Sequence, residues 1–336
     1  MSTRPASTQS TSAPIAARPA DRWGGAASPT QATGRAPPGA EPVRSRRAAL
    51  RALGACALLG SCARGEGRVS LRTLADARTV LTRQGRFGTV EVLALDSLRA
   101  LVFANERGRM LQGAVDLADP RRLVIAYGRL MMLAAAYAAR FDEVAMIGLG
   151  TGAMAGYVAR TYAPARLEVA EIDPLIVELA SSRFGLQPAP GLRVLTQDGR
   201  AMLAAGGRPY DAILIDAYGG QDIPEPLATR QFYEIVRARL APDGAYVQNL
   251  VASARRFDSI LATIASVFPT IATYRTGGNW VIVALPGAGV PDDALAERAR
   301  RLDVQHAPRH LLSDQLALSD APAPFRQAPV LLDPVF

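Results

Sequence analysis

The pattern of apolar and polar positions divides the chain into three stretches. Residues 1–42 carry almost no large apolar side chains and are dense in Ser, Thr, Ala, Pro and Gly. Such a segment buries too little surface to offset the entropy of ordering, so residues 1–44 are expected to be a disordered extension. From residue 70 short apolar runs alternate with turn residues. Positions 79–82, 89–93, 101–104 and 109–111 read as strands, broken by Gly85-Arg86-Phe87-Gly88 and by Asn105-Glu106-Arg107-Gly108. That spacing predicts a small antiparallel β-domain of hairpins over 70–122.

From 123 onward the period switches between helix and strand. Helices are predicted at 123–139, 153–162, 174–184, 227–240 and 259–267, with buried strands at 144–147, 167–170, 192–195, 212–215 and 245–247. Alternation of this kind implies a mostly parallel sheet with helices on both faces. Two further strands, 271–274 and 280–284, are joined only by Thr276-Gly277-Gly278-Asn279. A parallel crossover needs a dozen residues or more, so these two form an antiparallel hairpin. The expected fold class is therefore α/β: a Rossmann-like, class I methyltransferase-type sheet over 123–290, mostly parallel and closed by an antiparallel hairpin. Residues 291–336 read as one amphipathic helix and a Pro-rich tail.

Charge at first suggests a different picture. The 336 residues carry a formal net charge of +8. Residues 1–69 hold 10 Arg against 3 acids, however, and residues 70–336 are close to neutral with 28 Arg against 27 acids. A groove that tracks nucleic-acid phosphates needs its charge on the folded body, so nucleic acid is not an expected partner. Every basic residue other than histidine is Arg, which excludes lysine-dependent chemistry such as a Schiff base or a P-loop. Cys56 and Cys62 both precede the folded stretch, leaving it without a disulfide or a thiolate metal site. His306 and His310 are separated by Pro308, which argues against a helical ligand pair, and they read as surface residues near a loop. No metal or prosthetic group is expected.

The excess charge fits an address. Ser45-Arg46-Arg47 precedes the apolar run 52–60, which ends in Leu59-Gly60-Ser61-Cys62. A basic patch, a short apolar core and small residues form the layout of an export signal, here over 45–62. The run is too short to span a bilayer, which needs about 20 residues. Its end resembles a bacterial lipoprotein cleavage box with Cys62 as the candidate lipidation site, and its arginine pair resembles a twin-arginine signal. Processing would place the protein at the cell envelope on a lipid anchor, its one expected link to a membrane; without processing it would be cytoplasmic. Translation starting at Val43 would bring this layout to the N-terminus.

The candidate chemistry gathers at the carboxyl ends of the predicted strands. Gly148-Leu149-Gly150-Thr151-Gly152 follows the first strand and lets backbone approach a ligand closely. With Ala153 it also fits a dinucleotide pattern, so alone it does not separate nicotinamide from S-adenosyl ligands. Glu171 ends the second strand, where a carboxylate can accept both hydroxyls of a ribose. Asp173 suits the N-cap of the helix that Pro174 begins. Asp198-Gly199 follows the third strand, where a carboxylate can accept from an adenine amino group or cap a helix. Asp216 ends the fourth strand and can take a proton from an attacking amine, help of a kind that contributes roughly 10²–10⁴ in rate. Asp222 and Glu225 follow in the next loop.

Taken together and in order, these segments resemble the polyamine aminopropyltransferases, the spermidine synthases and their bacterial relatives. The resemblance covers residues 85–285. It rests on Gly85-Arg86-Phe87-Gly88, Tyr127, the glycine loop 148–152, Glu171-Ile172-Asp173-Pro174, Asp198-Gly199-Arg200, the stretch 210–217, Arg230-Gln231-Phe232-Tyr233 and Gln248-Asn249. It implies transfer of an aminopropyl group from decarboxylated S-adenosylmethionine, as co-substrate, to a small-molecule amine, with release of methylthioadenosine. It also implies a homodimer. Under it, Gly148, Gly150, Thr151 and Gly152 would line the donor, Glu171 would bind ribose, and Asp198 with Gly199 would bind adenine. Asp216 would be the base, with Gln112, Tyr127 and Asp222 facing the amine.

Three positions depart from the family pattern. Thr151 stands where an aspartate holds the donor's ammonium. Gly219 stands where a second acid follows the base, leaving Asp222 as the nearest substitute. Gly128-Arg129 stands where a His/Gln-Glu pair follows the tyrosine. Two other readings therefore stay open: an S-adenosylmethionine-dependent methyltransferase, and a catalytically silent nucleoside-binding envelope protein on the same fold.

Overall fold

Four runs with period-two alternation, separated by two-residue turns, fold as a meander. In the computed structural model these are β1 (Arg78–Gly85), β2 (Gly88–Leu95), β3 (Leu98–Asn105) and β4 (Gly108–Asp116), paired antiparallel in chain order. The structure describes residues 69–70, 72–106, 108–219, 222–318 and 327–334. The extension 1–44 and the signal-like stretch 45–62, with Cys56 and Cys62, lie outside the described residues. Both faces of the meander are covered. Val90, Val92, Leu101 and Phe103 pack on one side, and Leu93, Ala100, Val102 and Ala114 on the other.

The alternating region forms α1 (Ala126–Met131), α2 (Ala134–Tyr137), β5 (Glu143–Ile147), α3 (Ala153–Thr161), β6 (Arg166–Glu171), α4 (Pro174–Ser182), β7 (Leu192–Thr196), α5 (Gly199–Ala204) and β8 (Tyr210–Ile215). It continues through α6 (Arg230–Arg239), β9 (Leu240–Val251), α7 (Phe257–Ala265), β10 (Thr270–Thr276) and β11 (Asn279–Leu285), then α8 (Asp292–His306) and α9 (Leu312–Ala317). The second sheet has seven strands in the order β10-β11-β9-β8-β5-β6-β7. Strands β5 to β9 run parallel, and β11 pairs antiparallel with both β9 and β10, so the expected closing hairpin is present. Helices α1 to α3, α8 and α9 cover one face; α5 to α7 cover the other. Helix α4 turns Leu175, Ile176 and Leu179 toward the meander and so joins the two sheets.

Several boundaries differ from expectation. The single helix predicted over 123–139 is two short helices. Leu123 is held outside the helix because its N–H donates to His310 Nε2 (3.0 Å) and its carbonyl accepts from Arg129 Nε (2.7 Å). At the join of α1 and α2, Met132, Leu133 and Ala135 make three-residue rather than four-residue backbone bonds. Helix α6 starts at Arg230 rather than 227, where the Thr229 hydroxyl caps it by accepting from Phe232 N–H. The tail holds a second helix, α9, docked by the Asp303 carboxylate accepting from Leu312 and Ser313 N–H. His310 is not a surface residue: it is buried, stacked beside Tyr157, and its ring acts as a structural acceptor. His306 packs edge-on against Tyr162. Among the described residues no helix is long and apolar enough to cross a membrane.

Candidate active site

A parallel sheet exposes its strand carboxyl ends as a crevice where the order reverses. Here that reversal lies between β5 and β8, and the meander closes over it. The result is a cavity of about 720 Å³. Its floor is the strand-end turns 147–150, 170–173, 198–199 and 216–218; its roof includes Phe87, Leu101, Phe103, Met110 and Leu111.

The glycine loop earns its glycines from geometry. Gly148 has φ +93°, and a Cβ there would overlap the Asp216 carbonyl, so only glycine lets β5 and β8 deliver their ends side by side. Gly199 is equally confined, because a Cβ would run into the Ile147 side chain. Gly148, Gly150 and Gly199 line the cavity. Gly152 does not, and Thr151 lines only a small adjoining pocket of about 40 Å³, together with Gln112, Tyr127, Gly150 and Asp216. Thr151 is buried against Gly113 of β4, and Gly152 sits in left-handed backbone at the start of α3, against Leu186.

Glu171 lines the cavity with its carboxylate fixed by two backbone donors, Leu149 N–H to Oε2 (3.0 Å) and Asp173 N–H to Oε1 (2.9 Å). Burial pushes its carboxyl above the ordinary range, and these donors act against that push. Asp173 caps α4 through Leu175 N–H (2.9 Å), and its other oxygen accepts the Arg86 N–H (2.7 Å), which ties the meander to the crevice. Asp198 lies at the exposed rim of the cavity and caps α5 through Ala201 N–H (2.8 Å), so it lines the cavity while capping the helix.

Asp216 sits at the end of β8 with a donor on each oxygen. Tyr127 Oη donates to Oδ2 (2.9 Å), and Asn249 Nδ2 donates to Oδ1 (3.0 Å). Asn279 Nδ2 donates to Asn249 Oδ1 (2.9 Å), and Tyr218 Oη donates to the Asn249 carbonyl (2.8 Å). The chain Asn279–Asn249–Asp216 thus holds the carboxylate in one orientation. Burial raises the Asp216 carboxyl above its ordinary value, against the lowering effect of its two donors. Burial and the neighbouring carboxylate push the Tyr127 phenol well above its usual range, so it stays a donor at neutral pH.

Gln112 and Tyr127 line the cavity, while Asp222 does not; its Oδ1 accepts from Arg255 N–H (3.3 Å). Gly128 packs against Met154, and Arg129 is turned to the Leu123 carbonyl. The sequence reading assigned no role to Asn249, Asn279 or Tyr218. Tyr218, two residues after Asp216, carries a local signal; Asn249 and Asn279 sit within strands and carry none. Among the described residues no cluster of three His, Cys, Asp or Glu could hold a metal ion.

No protein-family model matches the chain. The polyamine aminopropyltransferase of Vibrio vulnificus is 29% identical over 221 residues, covering 63% of this chain and 74% of that protein. That of Chromobacterium violaceum is 30% identical over 182 residues, covering 53% of this chain and 68% of that protein. The chain belongs to the polyamine aminopropyltransferase family. It is a transferase. The chain also shares its fold with the spermidine synthase of Thermotoga maritima, at a TM-score of 0.59 and 18% identity over 73% of this chain and 85% of the other. A shorter likeness, 33% over 147 residues and 40% of this chain, is to the human eEF1A lysine and N-terminal methyltransferase, of which it covers 21%.

Proposed function

We propose that this chain transfers an aminopropyl group from decarboxylated S-adenosylmethionine to an amine. The nitrogen lone pair attacks the carbon next to the sulfonium, the S–C pair returns to sulfur, and methylthioadenosine leaves. Asp216 accepts the proton released from the attacking nitrogen. Displacement at a sulfonium needs little beyond alignment, exclusion of water and an unprotonated amine. One well-held carboxylate is therefore a sufficient catalytic set. Glu171 accepts the ribose hydroxyls, Asp198 with Gly199 receives the adenine, and Gly148 and Gly150 give the donor room. Tyr127 and Gln112 face the amine.

The observation that carries this reading is the position of Asp216. It lies beside the glycine loop, on the cavity, with both oxygens already oriented and its basicity raised by burial. A second reading, methyl transfer from intact S-adenosylmethionine, draws on the human methyltransferase likeness and on Thr151, which leaves the donor's ammonium without its expected aspartate. Product analysis separates the two. Methylthioadenosine released from decarboxylated S-adenosylmethionine supports aminopropyl transfer. S-adenosylhomocysteine formed from the intact donor, with no reaction of the decarboxylated one, overturns it.

A further inference from the structure

The cavity's charge is distributed unevenly, and this bears on the amine. Glu171 ends β6, Asp173 follows it with its two oxygens committed to Leu175 and Arg86 N–H, and Asp198 follows β7, whereas Asp216 follows β8. With strands about 4.8 Å apart, β6 lies about 10 Å from β8, and β7 lies farther still. Over β8, β9 and β11 the polar side chains lining the cavity are Asp216, Asn249, Asn279 and Tyr218, with Tyr127 opposite. Only one of them is a carboxylate. Each of the other four donates its hydrogen bond inside the group, to Asp216 or to Asn249.

The two acids of the following loop do not supply the missing charge. Asp222 is turned to Arg255 N–H, and the Glu225 side chain is 61% exposed beside Arg256. Neither lines the cavity. Among the described residues the roof brought by the meander carries no carboxylate: its lining includes Phe87, Leu101, Phe103, Met110 and Leu111, with Gln112 as an uncharged polar member and Arg86 and Arg109 as its charged ones. Arg109 is paired with Glu91.

We infer that the amine acceptor carries a single amino group on an apolar body, a monoamine rather than a diamine. One amine meets Asp216, and the remainder of the molecule meets a wall that is apolar or, at Gln112, polar but uncharged. A second ammonium would be desolvated without a counter-charge or brought toward Arg86, and both are unfavourable. This inference rests on the transfer reading above, but its test is independent of turnover.

Calorimetric titrations of the full chain, saturated with methylthioadenosine, would compare n-butylamine and n-hexylamine with 1,4-diaminobutane, alongside methylthioadenosine release from the decarboxylated donor. The expected result is at least tenfold tighter binding of the monoamines and a similar preference in kcat/KM. Equal or tighter binding of the diamine, or no binding of any amine, overturns the inference. Tighter monoamine binding without release of methylthioadenosine supports it while removing the transfer reading.

Discussion

Over β5, β6 and β7 the cavity is lined by backbone turns and by carboxylates fixed to backbone donors; over β8, β9 and β11 it is lined by side chains fixed to one another. Glu171 is held by Leu149 and Asp173 N–H, and Asp198 by Ala201 N–H. Asp216 is held instead by Tyr127 and by the Asn279–Asn249 relay, residues that arrive from α1, β9 and β11. A site held by its own turn tolerates change elsewhere in the molecule. A site assembled from four elements depends on all of them for its geometry. The first half suits a constant ligand, the nucleoside, and the second a reacting group whose orientation sets the rate.

The largest expected effect separates the halves. Asp216→Asn should lower kcat/KM by roughly 10²–10⁴, with methylthioadenosine affinity changed less than about twofold, measured by steady-state kinetics and calorimetry. The same variant should melt higher at neutral pH. Burial raises the Asp216 pKa, so the fold disfavours its ionised form; that penalty is complete above the raised pKa and vanishes below 3.8, the ordinary value. The gain in melting temperature should therefore fade as pH is lowered toward that value.

Glu171→Gln should act on the other half. It removes a charged acceptor of ribose hydroxyls, a loss of about 1.5–3 kcal/mol or roughly 10- to 100-fold in methylthioadenosine affinity. Turnover at saturating donor should change far less. Equal loss of binding in the Asp216 and Glu171 variants would erase the distinction between the halves.

Tyr127→Phe sharpens the comparison on the reacting side. Its hydroxyl lowers the Asp216 pKa, so its removal should move the acid limb of the pH–kcat/KM profile to higher pH and reduce the rate about tenfold at neutral pH. An unmoved limb would mean that Tyr127 does not act through Asp216.

The smallest effect belongs to a brace on the nucleoside side. Arg200 follows Gly199, and its Nη1 donates to the Pro226 carbonyl (3.1 Å) and to Asp333 Oδ1 (2.8 Å) from the chain's last described segment. That segment also docks through Leu331, whose carbonyl accepts Arg230 N–H (2.8 Å). Gly199, Pro226 and Leu227 all line the cavity. An ion pair of this exposure is worth at most about 1 kcal/mol. Asp333→Asn should weaken methylthioadenosine binding up to about fivefold, with kcat unchanged.

The same contrast explains what could be read from the sequence. Strand ends with Gly148, Glu171 and Asp198 are local: the residue, its turn and its capping duty lie within a few positions, and each was legible. The hairpin signature at 276–279 and the four-strand meander were legible for the same reason. Asn249 and Asn279 were not, since each is an ordinary strand residue until antiparallel pairing of β9 with β11 brings them together. The late start of α1 and the burial of His310 likewise depend on a contact between residues 123 and 310, far apart in the chain. Asp222 shows the converse. The family resemblance made it the nearest substitute for a second acid at the site, but the loop turns its carboxylate toward Arg255 N–H.

The central claim is that the nucleoside sits over β5, β6 and β7 and leaves its sulfur facing Asp216. A crystal structure of the complex with methylthioadenosine tests it most directly. The account predicts both ribose hydroxyls on the Glu171 carboxylate, the adenine at Asp198 and Gly199, and the thioether sulfur directed to the Asp216 side of the cavity. A nucleoside bound with its ribose away from Glu171, or with its sulfur directed away from Asp216, would contradict it.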